Sequence, residues 1–343
     1  MKHISQSIPI RRGARLRNPL LLGAAILLAA GLQQARGSAN HHLNLFPKLC
    51  TGQTLTYQIA YHSEKQAKTH SSVIMAQSPA GADIDVHGLL RLEVLGVEPM
   101  GARSVIHART WFQSLVSATN INVPDTLQTP TSQVQKQDPK GIAVEFTISP
   151  DGRVDQIQGL DALYPEQQQA WQQWAFRFAA TAAFPEKGVQ LAQKWKSEES
   201  EKSPSPIANL TWIRQSVYVR NVPCRAAQLT IQGNVAESAA QPETCAVILT
   251  TANLKQKSSP KDATPEDYKL HQLKTTGSAG GSNKTLLYIS IQSGLLIRST
   301  DHADQSMSVT IAKSDGSNRV RYDIHAKSDT EIFRIANTPL DSK

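Results

Sequence analysis

Residues that could bind a metal occur in a short alternating segment. Asp83, Asp85 and His87 supply carboxylate and imidazole ligands, and their spacing of two residues puts all three on one face of a β-strand. The same alternation puts Ile84 and Val86 on the opposite, buried face. Because a polar outer strand face accounts for the triplet, we predict no metal site here.

Other candidate motifs are weaker. Asp301-His302-Ala303-Asp304 lies between two strand candidates and is interpreted as a polar turn. The segment 277–284 resembles a phosphate-binding loop but has Asn283 where the motif requires glycine before the lysine. The chain has no Gly-x-Ser-x-Gly or His-Glu-x-x-His motif. We therefore predict a protein that is not an enzyme and has no cofactor; the remote alternative, a hydrolase, would need His, Asp and Ser to meet in a cleft.

One amphipathic helix is predicted over residues 165–184, and the rest of the chain is organised around it. Pro165 suits a first helical turn, Glu166 lies near the positive end of the helix dipole, and Pro185 ends the helix. Apolar residues recur at helical spacing along one stripe: Trp171, Trp174, Ala175, Phe178, Ala179 and Ala182.

The aromatic residues of that stripe have two interpretations. Ordinary packing of the helix on a sheet explains them, because each aromatic side chain can bury about 150–250 Å². The functional alternative is that Trp171, Trp174 and Phe178 line a site for a hydrophobic ligand.

Nearly all other periodic segments predict strands. Leu55, Tyr57, Ile59 and Tyr61 share one strand face, and residues 83–97 and 102–116 predict a long hairpin. Nine short strands are predicted between residues 207 and 336, and 117–140 is predicted to be a loop that is either disordered or used for binding. The fold class is therefore mainly β (α+β): a large curved antiparallel sheet, or sheets, with one principal amphipathic helix packed on it.

The N-terminus is typical of an export segment. Basic residues precede an apolar run over residues 19–32, which is shorter than the roughly 20 residues needed to span a bilayer. Residues 1–39 are thus predicted to be a cleaved signal peptide, or a membrane anchor if they are not cleaved. The mature protein would be periplasmic or extracellular, with membrane contact only through an uncleaved N-terminal segment.

The charge of the mature chain argues against nucleic-acid binding. Removing the export segment takes six of the 36 basic residues and no acidic ones, which leaves 30 basic against 28 acidic residues. An excess this small, spread along the chain, provides no basic surface for a phosphate backbone.

Three cysteines in an exported chain allow one disulfide. Cys224 and Cys245 each begin a predicted strand in consecutive segments, so we predict that they pair and that Cys50 is free. Closing the loop between them would stabilise the fold by about 3 kcal/mol in the chain-entropy model.

Several structural motifs resemble those of uncharacterised exported bacterial proteins in domain-of-unknown-function families. They are the opening strand over residues 52–57, the turn Ser149-Pro-Asp-Gly-Arg-Val154 followed by Gly159-Leu-Asp-Ala-Leu163, and the glycine-centred hairpin at residues 290–297. The resemblance covers most of the mature chain and implies a β-rich exported fold. It transfers no catalytic residues.

Together these observations predict three regions and one leading function. Residues 40–200 form a β-rich region with the hairpin and helix, and residues 201–343 form an antiparallel meander continuous with it. The leading hypothesis is a non-enzymatic envelope protein that binds a hydrophobic ligand or a partner chain. The alternative is a structural or interaction protein of the envelope without a small-molecule ligand.

Overall fold

The computed structural model describes residues 42–71, 80–101, 103–122, 131–136, 142–180, 183–201, 205–224 and 243–335. The predicted export segment, residues 1–39, lies outside the described residues, as does the predicted strand that would follow Cys224. The described residues from His42 onward belong to one compact unit.

The described residues form twelve strands and two α-helices. The strands are β1 (Thr54–Ser71), β2 (Ala80–Met100), β3 (Arg103–Asn122), β4 (Thr131–Lys136), β5 (Val144–Ile148), β6 (Val154–Gln158), β7 (Lys194–Ser200), β8 (Leu210–Pro223), β9 (Thr244–Gln256), β10 (Leu273–Ser290), β11 (Leu296–Lys313) and β12 (Val320–Ile335). The helices are α1 (Pro165–Ala179) and the short α2 (Glu266–Leu270), and Leu160–Ala162 forms a 3₁₀ turn.

All strands belong to one curved antiparallel sheet. Its order is β6-β5-β3-β2-β1-β12-β11-β10-β9-β8-β7, and β4 pairs with β3 beside this path. The first and last strands of the chain, β1 and β12, pair in the middle over a register from Thr56–Ile335 to Ser71–Val320. The two regions predicted from the sequence therefore contribute to the same sheet.

Helix α1 packs on one face of this sheet, which we call the inner face. Its buried stripe joins a core that draws on both halves of the chain, including Tyr57 and Phe146 from the first half and Leu287 and Ile332 from the second. The prediction of a mainly β fold with one principal helix packed on the sheet is confirmed.

The start of α1 follows from its sequence, but its end differs from the prediction. Pro165 occupies the first turn, and the backbone N–H of Tyr164 donates to Gln167 Oε1 at 3.1 Å, which caps the helix. The helix ends at Ala179 instead of residue 184. Phe184 lies beyond the helix and is buried against Trp195, with ring centroids 5.7 Å apart. The apolar sequence pattern extends beyond the end of the helix because the following turn also packs on the core.

Several strands are longer than predicted. Residues 277–283 and 301–305, which were expected to be turns, lie inside β10 and β11. The expected loop at 117–140 also contains strand structure, because β3 extends to Asn122 and pairs with β4. These segments are polar, and pairing with neighbouring strands holds them extended where their own periodicity does not predict it: residues 301–305 and 281–283 pair on both sides, and residues 277–280 pair with β11.

Candidate functional site

The three aromatic side chains predicted to line a ligand site lie between α1 and the sheet. Trp171, Trp174 and Phe178 are 1%, 0% and 1% exposed. Phe146 contacts Trp171 edge-on at 5.4 Å between ring centroids, and Tyr57 contacts Phe178 edge-on at 5.8 Å. The rings therefore contact other side chains and no open space, so a ligand could reach them only if α1 moved.

Polar contacts hold the helix in place over the aromatic cluster. Trp171 Nε1 donates to Thr110 Oγ1 of β3 at 2.8 Å, and the Tyr61 hydroxyl of β1 donates to Gln169 Oε1 at 3.1 Å. Burial raises the pKa of Tyr61, and a hydrogen bond with Ser63 lowers it by less. Tyr61 therefore remains a neutral donor at physiological pH.

A buried ion pair attaches the far end of the helix to the sheet. Arg177 Nη2 lies 2.5 Å from Asp301 Oδ1, and the two side chains are 7% and 2% exposed. Asp301 also accepts hydrogen bonds from Asn283 at 3.0 Å and from Thr285 at 2.5 Å. Sequence reasoning missed this pair: Arg177 falls outside the apolar stripe of the helix and Asp301 was expected in a turn, and nothing in either local pattern signals the contact.

The inner face of the sheet extends beyond the residues that α1 contacts. We call this continuation the open inner face; across β1, β2 and β12 it comprises Ser63, Lys65, Ala67, Ala82, Ile84, Tyr322, Ile324, Ala326 and Ser328. Eight of these side chains are half-buried, and Lys65 is exposed. Apart from Lys65, all are small, apolar or uncharged. At the far end of the open inner face, Tyr322 packs against a second buried cluster that includes Val309 and Trp212.

The opposite side of the same strands, the outer face, is strongly charged. Along β1 and β12 the outward residues are His62, Glu64, Gln66, Lys68 and His70, and Arg321, Asp323, His325, Lys327 and Asp329. Histidines there pair with carboxylates: His302 with Asp329 at 2.8 Å and His325 with Asp304 at 2.9 Å. The two faces of this part of the sheet therefore differ sharply in polarity.

The sequence triplet Asp83, Asp85 and His87 is divided by the structure. Asp83 and Asp85 gather around His62 of the neighbouring strand, while His87 lies opposite Ala60. His62 Nδ1 lies 2.9 Å from Asp85 Oδ1 and 3.6 Å from Asp83 Oδ1. Partial burial lowers the pKa of His62, but the hydrogen bonds and charges of Asp85, Glu64 and Asp83 together outweigh it, so the pKa lies above its usual value.

One hydroxyl, imidazole and carboxylate arrangement occurs on the outer side of β3. Thr147 Oγ1 lies 3.2 Å from His107 Nδ1, and His107 Nε2 lies 3.4 Å from Glu98. The Thr147 hydroxyl donates to Gln156 Oε1 at 3.1 Å and is 7% exposed. Because its proton already points to Gln156, His107 is not placed to remove it, and the arrangement is not that of an activated nucleophile.

Cys224 and Cys245 form a disulfide with a Cα–Cα distance of 4.8 Å, and Cys50 is an exposed free thiol. The pairing is the one predicted from the sequence. Disulfides of this kind are typical of proteins in oxidising compartments. Neither helix in the described part of the chain has the length and apolar character that crossing a membrane would require.

No family model matches this chain, and no curated protein matches its sequence. Among solved structures, it is similar to lipovitellin, in a structure of lipid–protein interactions, with a TM-score of 0.41 and 9% identity over 86% of this chain and 26% of that one. The chain thus spans about a quarter of the lipovitellin chain.

Two bacterial structures also show weak similarity. The outer membrane protein OprG of Pseudomonas aeruginosa has a TM-score of 0.19 and 6% identity over 85% of this chain and 99% of its own. OpdL of the same organism has a TM-score of 0.20 and 7% identity over 82% and 99%.

Proposed function

We propose that this protein is a non-enzymatic, exported binding protein that holds a hydrophobic ligand on its open inner face. The proposal rests on one observation: the polarity difference between the two sides of β1 and β12 continues beyond the part of the sheet that α1 covers. A half-buried apolar sheet face opposite a charged one is typical of a surface that contacts something apolar.

The dimensions of the open inner face suit an elongated ligand. From Ser63 to Ala67 along β1, and from Tyr322 to Ser328 along β12, the strands run about 13–20 Å at 3.3–3.4 Å per residue. Small side chains such as Ala67, Ala82 and Ala326 leave room above the backbone. Lys65, the one exposed cation among them, can extend its ammonium group to solvent while its methylene groups cover the apolar surface.

The location of the ligand differs from the one expected from sequence. Trp171, Trp174 and Phe178 are packed against Tyr57 and Phe146, so the proposed ligand lies beside α1 instead of beneath it. The cross-strand row of residues that contains Tyr61 and Asp301 would then form the polar end of the ligand site. Binding beneath a displaced helix is the competing arrangement.

A pair of matched variants tests the proposal. Ala67→Asp puts a carboxylate on the open inner face, whereas Gln66→Asp puts the same group on the outer face one residue away. With N-phenyl-1-naphthylamine as a neutral fluorescent probe, we expect the affinity of Ala67→Asp to fall about tenfold or more, because apolar surface cannot solvate a charge. The affinity of Gln66→Asp should match the wild type.

The outcomes are distinguishable if each variant is first shown to unfold at a temperature near that of the wild type. Equal probe affinity in all three proteins, or no saturable binding, would exclude a ligand on the open inner face. If Phe178→Ala changes the affinity while Ala67→Asp does not, the ligand binds beneath α1.

A second candidate function is association with a partner chain through the edge of the sheet. Strand β6 is a terminal strand whose residues 155–158 are exposed, and Ile157 is 41% exposed. The other edge, β7, carries Lys194, Lys196, Glu198 and Glu199, and such charges discourage strand pairing. A Pro substitution at Ile157 that abolishes capture of an envelope component, without changing probe binding, would favour this function.

A further inference from the structure

The outer face holds a group of ligand-type side chains that the proposed function does not use. His62 and Asp85 are direct cross-strand partners on β1 and β2, and Glu64 and Asp83 are the next outward pair along the same strands. Asp329 of β12 lies opposite His62 on its other side. One imidazole is thus surrounded by carboxylates from both neighbouring strands and from its own strand.

The distances within this group are short enough for a shared ion. One ligand atom each from His62, Asp83 and Asp85 lies within 4.8 Å of the others. Ligand atoms on a tetrahedral zinc ion at about 2.0–2.2 Å would be about 3.4 Å apart. The three side chains are 37%, 44% and 43% exposed, so small rotations can close the difference without moving the strands.

Two features of the group favour binding of a cation in addition to Lys327, which already lies opposite Glu64 on β12. Glu64 and Asp83 face each other directly across the strand pair, and like charges in that position destabilise a sheet. Asp83 Oδ1 is also shielded from solvent without a hydrogen-bond partner, since His62 Nδ1 is 3.6 Å away. A carboxylate oxygen placed in this way loses hydration without replacement.

Two other histidine pairs on the outer face have fewer carboxylates around the imidazole. His302 and His325 each have one carboxylate within 4.0 Å, from Asp329 and Asp304 respectively. Lys284 lies directly opposite His302 across the strand pair, and Lys327 lies opposite Asp304 on one side and Glu64 on the other. In the described part of the chain, the group around His62 is the one where three His or carboxylate residues could hold a metal ion.

We propose that His62, Asp83 and Asp85 form a binding site for a divalent transition metal, with Zn²⁺ as its representative. One imidazole with carboxylates is a ligand set for zinc and its neighbours, whereas Ca²⁺ and Mg²⁺ prefer oxygen ligands alone. Glu64 lies 3.5 Å from His62 Nε2, the ring nitrogen turned away from the two aspartates, so it can orient the imidazole while Nδ1 binds the metal. Since these residues lie on the outer face, the site is independent of the ligand site on the inner face.

The test compares zinc binding by the full chain and three variants, measured by isothermal titration calorimetry. His62→Ala and Asp85→Asn should each weaken binding at least about tenfold, because each removes one ligand of a three-ligand site. His302→Ala is the matched control, since it removes an imidazole with a single carboxylate from the same face, and its zinc affinity should equal that of the wild type. Cys50→Ser serves as the background for all four proteins, so that the free thiol cannot bind the metal.

Cobalt provides a second readout that does not depend on affinity. Co²⁺ in the wild type should give visible absorption bands of a nitrogen- and oxygen-ligated ion, and these should be absent in His62→Ala. Equal zinc affinity in wild type and His62→Ala, or an equal loss in His302→Ala, would overturn the proposal and indicate adventitious binding to surface histidines only. Thermal unfolding of each variant verifies that the loss is local.

Discussion

At the scale of single residues, the contact between Arg177 and Asp301 places two opposite charges in the interior of the protein. Both side chains are removed from water, and Asp301 is satisfied by Arg177, Asn283 and Thr285 together. A buried pair of this kind contributes little net stability against an apolar replacement, but breaking it leaves an uncompensated charge. Its effect in this protein is to determine where the end of α1 meets β11.

Asp301→Asn tests this interpretation. We expect a loss of about 3–5 kcal/mol in the free energy of unfolding, because the Arg177 charge would remain buried without its counterion. Urea unfolding followed by circular dichroism measures the loss. Asp304→Asn, which changes the same residue type on the outer face of the same strand, should cost less than about 0.5 kcal/mol. Similar costs for both variants would contradict the assigned role of the Arg177–Asp301 pair.

At the scale of secondary-structure elements, α1 is stable because its apolar side is buried against the sheet. Its sequence is rich in glutamine, and the packed side consists of Trp171, Trp174, Ala175 and Phe178, all at most 3% exposed. Phe178 stacks on Trp174 with ring centroids 5.2 Å apart and touches Tyr57 of β1. Tertiary burial, more than helix propensity, therefore holds this segment in helical form.

Phe178→Ala should separate helix docking from sheet formation. We expect it to cost about 3–5 kcal/mol, because the rings around it cannot fill the cavity. Amide hydrogen exchange should speed up over residues 165–179 more than over β10 and β11. Gln172→Ala, on the exposed side of the helix, should leave both stability and exchange near the wild-type values. Uniformly faster exchange across the sheet would show that α1 and the sheet unfold as one unit.

At the scale of the whole molecule, the pairing of β1 with β12 makes the two regions of the chain interdependent. The core combines Tyr57 and Trp174 from the first region with Leu296 and Ile332 from the second. The hydroxyl of Tyr57 donates to the backbone carbonyl of Leu296 at 3.2 Å. The predicted boundary near residue 200 therefore divides the sequence, but the residues on its two sides share one hydrophobic core.

Fragments of the chain test this interdependence. Residues 42–201 and 205–343, produced separately, should each lack a cooperative thermal transition, because each would expose the apolar surface that the other buries. Mixing them should restore a transition that depends on concentration. A cooperative transition of either fragment alone would show that the regions are independent folding units.

Much of the architecture could be predicted from the sequence, because local periodicity reports which side of an element is buried. The alternation of Leu55, Tyr57, Ile59 and Tyr61, and the helical stripe starting at Trp171, were sufficient for a β-rich fold with one helix on a sheet. Periodicity failed where polar residues form strands, as at 277–283 and 301–305. There the hydrogen bonds of neighbouring strands decide the conformation, and no local pattern records them.

For the candidate sites, too, the sequence determined some features and the tertiary structure determined others. The sequence alone determined that Asp83 and Asp85 share a face, that Cys224 and Cys245 are the natural pair, and that the helix has an aromatic side to bury. Only the tertiary structure decided that His62 joins the two aspartates, that Arg177 meets Asp301, and that half-buried apolar side chains continue along the inner face beyond the helix. The physical reason is that strand register brings together residues distant in sequence, and register depends on the pairing of the whole sheet.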